Sequence, residues 1–110
     1  MRVLIFDCLQ LETEKIIPLL SDEGIQILKA STEDVGEHLW FGQFNVILVG
    51  GNIEQDFKQK VFELAESKNT KIIEIENDNR AVEIYIKEII LPELHKVNKN
   101  EFTGKTRNDL

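Results

Sequence analysis

The sequence has only one cysteine, two prolines and six glycines among its 110 residues. A single cysteine, Cys8, cannot form an intrachain disulfide, which excludes a disulfide-stabilised scaffold. No apolar run approaches the ~18–20 residues of a membrane-spanning helix, so we expect no membrane span. The sequence also has no linker, internal repeat or low-complexity segment, which predicts a single domain.

Positive charge is scarce as well. The chain has 13 Lys and Arg against 20 Asp and Glu, for a net charge of −7. Nucleic acids and anionic membrane surfaces bind basic faces, so we expect neither as a partner. The sequence shows no zinc-ligand spacing, no phosphate-binding loop and no Ser-His-Asp order. We therefore predict no metal, no cofactor and no enzymatic activity. The start MRVLIFD lacks the features of a signal peptide, which favours a cytoplasmic protein.

The most informative stretch that is present runs from Phe44 to Asn52. Its apolar centre, Val46 to Val49, is typical of a strand buried on both faces of a parallel sheet. The run ends at Gly50-Gly51, and a helical pattern follows. In open α/β sheets, ligands bind at the carboxyl ends of such strands. Gly50 brings no side chain to that position, so the stretch predicts a fold more clearly than a function.

Three further strands and four helices are predicted around this stretch. Residues 2–6 are a short apolar run, residues 25–30 fit an edge strand, and residues 71–77 alternate between isoleucine and glutamate. Between these strands, and after the last one, apolar residues recur at the spacing of amphipathic helices. Gly24 and Asn69 are the predicted helix stops. The alternation predicts a parallel sheet with helices on both faces.

Three segments resemble the receiver domain of response regulators: RVLIFD at 2–7, LLSDEGIQILKAS at 19–31 and GQFNVILVGG at 42–51. The resemblance implies a three-layer, flavodoxin-like α/β fold. Its sheet would be mostly parallel and four-stranded, in the order 2-1-3-4. The single receiver-like domain would cover residues 1–97. The resemblance implies a signalling protein, and it breaks at the residues that carry receiver chemistry.

Receivers hold Mg²⁺ with two neighbouring acids after strand one and accept a phosphoryl group on an aspartate after strand three. A Thr or Ser ends strand four, and a Lys ends strand five. Here Asp7 matches one acid, but Cys8 stands beside it. Gly50 stands at the position of the acceptor, and Glu76 at that of the hydroxyl. Without a nucleophile there, we expect no aspartyl phosphorylation at that position. The resemblance therefore implies a degenerate receiver.

The C-terminal part departs further from the family. Residues 81–97 have the apolar spacing of one long helix, interrupted by Pro92, in place of a fifth strand. The alternative is a strand over 82–87, which would pair antiparallel with strand four. Only then could Lys87 serve as the receiver lysine. Residues 98–110 are polar and are expected to form a flexible tail.

Without a fifth strand, strand four would be a sheet edge with bare backbone groups. A second copy of the chain, or another signalling protein, could cover it. We therefore expect a homodimer or a tight partner complex. The side chains expected at that interface are Ile73, Ile75, Ile86, Ile89, Ile90 and Leu94.

A second hypothesis is a small-ligand or anion site, or an enzyme remnant, in the crevice after strands one and three. Its candidate residues are Asp7, Cys8, Gly50, Gly51, Asn52 and Glu76. Each also has an ordinary structural interpretation. Asp7 can be a solvated acid, Cys8 a small buried hydrophobe, and the glycines turn residues.

Trp40 and Phe41 follow the apolar positions Val35 and Leu39 on the second predicted helix. Adjacent aromatic residues are frequent anchors in protein interfaces, so the pair is a candidate partner-binding spot. The alternative is that at least one of the two rings packs on the sheet.

Overall fold

A computed structural model of the chain describes residues 1–6, 13–51, 53–75 and 81–98. Asp7, Cys8, Asn52, Glu76 and nearly all of the predicted tail lie outside the described residues. The elements run in the order β1 (Arg2–Phe6), α1 (Thr13–Ser21), β2 (Gln26–Ala30), α2 (Val35–Phe41), β3 (Val46–Val49), α3 (Gln55–Ser67), β4 (Lys71–Glu74), α4 (Val82–Tyr85), a π-helical turn (Ile86–Ile90) and α5 (Leu91–Asn98).

The four strands form one parallel sheet in the order β2-β1-β3-β4. This confirms the predicted α/β class and strand order and is consistent with a flavodoxin-like fold. Val3 of β1 lies opposite Ile27 of β2 on one side and Val46 of β3 on the other. All of β3 is buried, as is β1 from Val3 onward, as expected for central strands covered on both faces.

The sheet separates two apolar clusters, because successive residues of a strand point to opposite faces. One cluster joins alternate strand residues to α1 and the C-terminal helical segment; its buried members include Val3, Ile5, Leu48, Ile16, Leu20, Ile86 and Leu94. The other joins the remaining strand residues to α2 and α3; its buried members include Leu4, Phe6, Ile47, Val35, Leu39, Val61 and Ala65. The result is the predicted three-layer arrangement.

Both predicted helix stops have left-handed backbone, with φ of 75° at Gly24 and 59° at Asn69. After α3, the N–H of Asn69 donates to Glu66 O at 3.1 Å and that of Thr70 to Ala65 O at 2.9 Å. These two bonds define a Schellman motif, and the same pair of bonds follows α1 at Gly24. The two positions are therefore set by helix termination.

The C-terminal segment is a helix, so the alternative of a strand over 82–87 is wrong. α4, the π-helical turn and α5 follow one another without a break. The N–H of Leu91 donates to Ile86 O, a spacing of five residues. Pro92 follows directly, and a proline has no N–H for the α-helical ladder. The widened turn lies where that ladder is interrupted.

β4 is shorter than predicted and lies at an edge of the sheet. The face of β4 that carries Ile72 and Glu74 is only partly exposed to solvent. Ile72 is fully buried, and the Glu74 carboxylate forms an ion pair with the Lys58 ammonium of α3 at 2.9 Å.

The helices within the described residues are too short or too polar to span a bilayer.

Candidate functional site

The carboxyl edge of the sheet carries Gly50 directly after β3. The backbone N–H of this buried glycine donates to Phe6 O at 2.9 Å, which ties the end of β3 to the end of β1. Of the six residues predicted to line a crevice here, the structure describes only Gly50 and Gly51. Gly51 is exposed, and a Cβ added to it would meet Ile75 O at 3.8 Å, an ordinary contact.

These two glycines offer backbone groups and no side-chain chemistry. A carboxylate nucleophile is absent from position 50, which is where the resemblance puts the phosphoacceptor. Within residues 1–6, 13–51, 53–75 and 81–98, no group of three or more His, Cys, Asp and Glu side chains could hold a metal ion.

The six side chains predicted at an interface lie on β4, just beyond it, or in the C-terminal helical segment. Five of them are buried in the first apolar cluster: Ile73, Ile75, Ile86, Ile90 and Leu94. The chain's own core therefore occupies these five side chains, and they have almost no surface for a partner. Ile89 is half-buried and packs against the same cluster. The apolar positions identified in the sequence are core positions of this chain, and their role in an interface stays a prediction.

The largest exposed aromatic surface in the described chain is at the end of α2. Trp40 is 56% exposed and Phe41 is 80% exposed. α2 buries Val35 and Leu39, which are four residues apart and share one helical face. Trp40 and Phe41 fall outside that face. Both rings therefore keep more than half of their surface in solvent.

Both rings border a shallow groove of about 380 Å³, lined by Trp40, Phe41, Gly42, Gln43, Phe44 and Lys68. We call it the aromatic groove. The Lys68 ammonium at the end of α3 is 4.2 Å from the centroid of the Trp40 ring. The Arg2 guanidinium is 4.6 Å from the centroid of Phe44 and donates to Gln43 O at 3.0 Å. Cation–π contacts of this kind orient both cations around the groove.

The loop that forms the floor of the groove is held in place by side-chain hydrogen bonds. Thr70 Oγ1, which is buried, donates to Phe44 O at 3.0 Å. The N–H of Arg2 donates to Asn45 Oδ1 at 2.7 Å. A Cβ on Gly42 would lie 2.6 Å from both His38 O and the Phe44 ring, so only glycine fits without a shift. Hydrogen bonds and tight packing at Gly42 therefore fix the shape of the groove.

The acidic start of α2 is internally paired. The N–H of Ser31 donates to Asp34 Oδ1 at 2.7 Å, and the N–H of Glu33 donates to Ser31 Oγ at 3.2 Å. These two bonds fold residues 31–34 into a turn that leads directly into α2. The bond from Ser31 is the main reason that the pKa of Asp34 is below its usual value, and the charge of His38 acts in the same direction.

No protein-family model, curated protein sequence or solved structure matches this chain. The receiver resemblance stays a prediction that rests on the quoted residues. The signal for the aromatic groove was present in the sequence as the Trp-Phe pair, whereas the contributions of Arg2 and Lys68 depend on tertiary contacts.

Proposed function

We propose that this chain is a non-enzymatic protein-interaction module, a receiver-like regulatory domain that lacks the phosphoacceptor aspartate. The observation that carries the proposal is the exposure of both Trp40 and Phe41 beside a groove. The glycine at the end of β3 supports the non-enzymatic part, because it leaves that position without a nucleophile. The partner we expect is another regulatory or signalling protein.

The energetic argument is the area that these rings leave in water. A buried aromatic side chain removes about 150–250 Å² from solvent. At exposed fractions of 56% and 80%, covering the rest of each ring is worth roughly 3 kcal/mol at ~25 cal/mol per Å². Tryptophan is also among the residue types most often found at binding hot spots. A partner that covers both rings therefore gains a substantial anchor.

As an interaction surface, the C-terminal helical segment is weaker in the structure than the sequence predicted. Its buried residues Tyr85, Ile86, Ile90, Leu91 and Leu94 pack in the chain's own core. Ile84 remains 48% exposed, as a single side chain. Isolated exposed hydrophobic residues are normal on protein surfaces. The interaction surface of the proposal is accordingly the aromatic groove.

The proposal is tested by affinity capture of proteins from the source cells, quantified by mass spectrometry. Three baits are compared: the native chain, the double variant Trp40→Ser with Phe41→Ser, and the single variant Ile84→Ser. We expect at least one protein whose capture falls about tenfold with the double variant and is retained with Ile84→Ser. Identical captured sets for all three baits would refute the proposal.

A further inference from the structure

We infer that the aromatic groove binds a short acidic peptide segment with an apolar anchor residue, contributed by a partner protein. This inference rests on the proposed function, since it names the kind of partner that the interaction surface takes. Three features of the described residues carry it: the size of the aromatic surface, the charges that flank it, and the helix ends that open onto it.

The size of the surface suits a short segment. With exposed fractions of 56% and 80%, the two rings offer roughly 200–350 Å² together. A stable protein–protein interface buries about 800 Å² on each partner. The pair is therefore too small to be the centre of a stable dimer of this chain without much additional surface. A groove of about 380 Å³ accommodates a few side chains of an extended segment.

The charges at the groove are positive, although the whole chain carries −7. Lys68 stands over the Trp40 ring at one side, and the exposed Arg2 stands over Phe44 at the other. Carboxylates of a ligand can pair with both cations while an apolar residue between them packs on the rings.

The carboxylates nearest along the two helices do not line the groove. Glu37 precedes Phe41 by about one turn of α2, and Glu66 precedes Lys68 by two residues on α3. Further back on α2, Asp34 is within 3.6 Å of His38 and accepts the bond from Ser31. The one charged side chain among the described residues that line the groove is thus Lys68, and Arg2 flanks it at Phe44.

The helix ends favour a peptide over a nucleic acid. α2 and α3 both end at the groove, and the last carbonyl groups of a helix lack intrahelical donors. The carbonyls of Leu64, Ala65 and Glu66 on α3 already accept from the chain itself, and on α2 Gly42 N–H donates to His38 O at 2.8 Å. A peptide brings further N–H donors together with its carboxylates, whereas a phosphodiester backbone brings only acceptors. The overall negative charge also disfavours a polyanion.

The experiment exploits Trp40, the only tryptophan of the chain. Its fluorescence is followed while the full chain is titrated with pools of short synthetic peptides. The acidic pool has Asp or Glu on both sides of a central Leu or Phe, and the matched pool has Lys or Arg instead. Short oligothymidylate serves as the nucleic-acid probe. Self-association is followed by sedimentation and by Trp40 emission at rising protein concentration.

We expect the acidic pool alone to shift the Trp40 emission, with weaker binding at higher salt. Lys68→Glu should weaken that binding about tenfold, since it reverses a charge at the groove. Lys87→Glu, an exposed lysine on the opposite face of the sheet, makes the same change in net charge and should leave binding within about twofold.

Failure of the acidic pool to bind overturns the inference, as does equal or tighter binding of the basic pool or of oligothymidylate. Burial of Trp40 by self-association overturns it in favour of a second copy of the chain. Equal effects of Lys68→Glu and Lys87→Glu would also contradict it. In each of these cases the proposed function is judged separately, by whether capture of a partner still depends on Trp40 and Phe41.

Discussion

Gly42 is the residue on which the shape of the groove depends most directly. Its missing Cβ leaves room for His38 O and the Phe44 ring, both 2.6 Å from the position where that atom would lie. We expect Gly42→Ala to lower the free energy of unfolding by about 1–3 kcal/mol, because a backbone carbonyl and a packed ring must shift. Chemical denaturation measured by circular dichroism checks this value.

The matched control is Gly36→Ala in α2, the helix that ends just before Gly42. A Cβ at Gly36 meets nothing within 4 Å, and alanine is the better helix former. We expect this variant to be as stable as the native chain or more stable by about 0.5 kcal/mol. If Gly42→Ala proved as stable as Gly36→Ala, the loop would be free to relax and the groove would not be a fixed feature.

At the scale of elements, the C-terminal helical segment packs on the same face of the sheet as α1. Ile90, in the π-helical turn, is fully buried, whereas Ile84 in α4 is 48% exposed. We expect Ile90→Ala to cost about 2–5 kcal/mol of unfolding free energy and Ile84→Ala less than about 1. Denaturant midpoints of the two variants check this. Equal small losses would mean that the segment is not docked on the sheet.

Much of this architecture could be predicted from the sequence, for local reasons. The uninterrupted apolar runs of β1 and β3 identify strands buried on both faces, and Gly24 and Asn69 mark helix ends by their tolerance of left-handed backbone. The π-helical turn was not predicted, because Pro92 indicates an interruption without specifying its geometry.

Contacts that depend on tertiary packing were beyond the sequence. The sequence of an apolar helix face is the same whether the chain's own sheet or a partner covers that face. Ile86 and Ile90 were predicted at an interface for this reason, and in the structure both are buried in the chain's own core. Trp40 and Phe41 were identified as a candidate, but their exposure follows from the narrow face of a seven-residue helix. Lys68 reaches Trp40 only because α2 and α3 end side by side.

At the scale of the whole molecule, we propose a receiver-like domain without the receiver's switch. We expect incubation with acetyl phosphate and Mg²⁺ to leave the mass of the intact chain unchanged, because position 50 offers no carboxylate. Intact-mass spectrometry checks this. A stable addition of one phosphoryl group on an aspartate would show that an acceptor lies elsewhere, and the non-enzymatic part of the proposal would then be wrong.

We propose above all that a partner protein contacts this chain at the aromatic groove. The most direct test replaces Phe41 with a photo-crosslinking phenylalanine analogue and, in a separate variant, places the same analogue at Ile84, the exposed apolar residue of α4. After irradiation in the source cells, we predict a discrete protein adduct from position 41 and none from position 84. Adducts of equal yield from both positions, or none from position 41, would contradict the account.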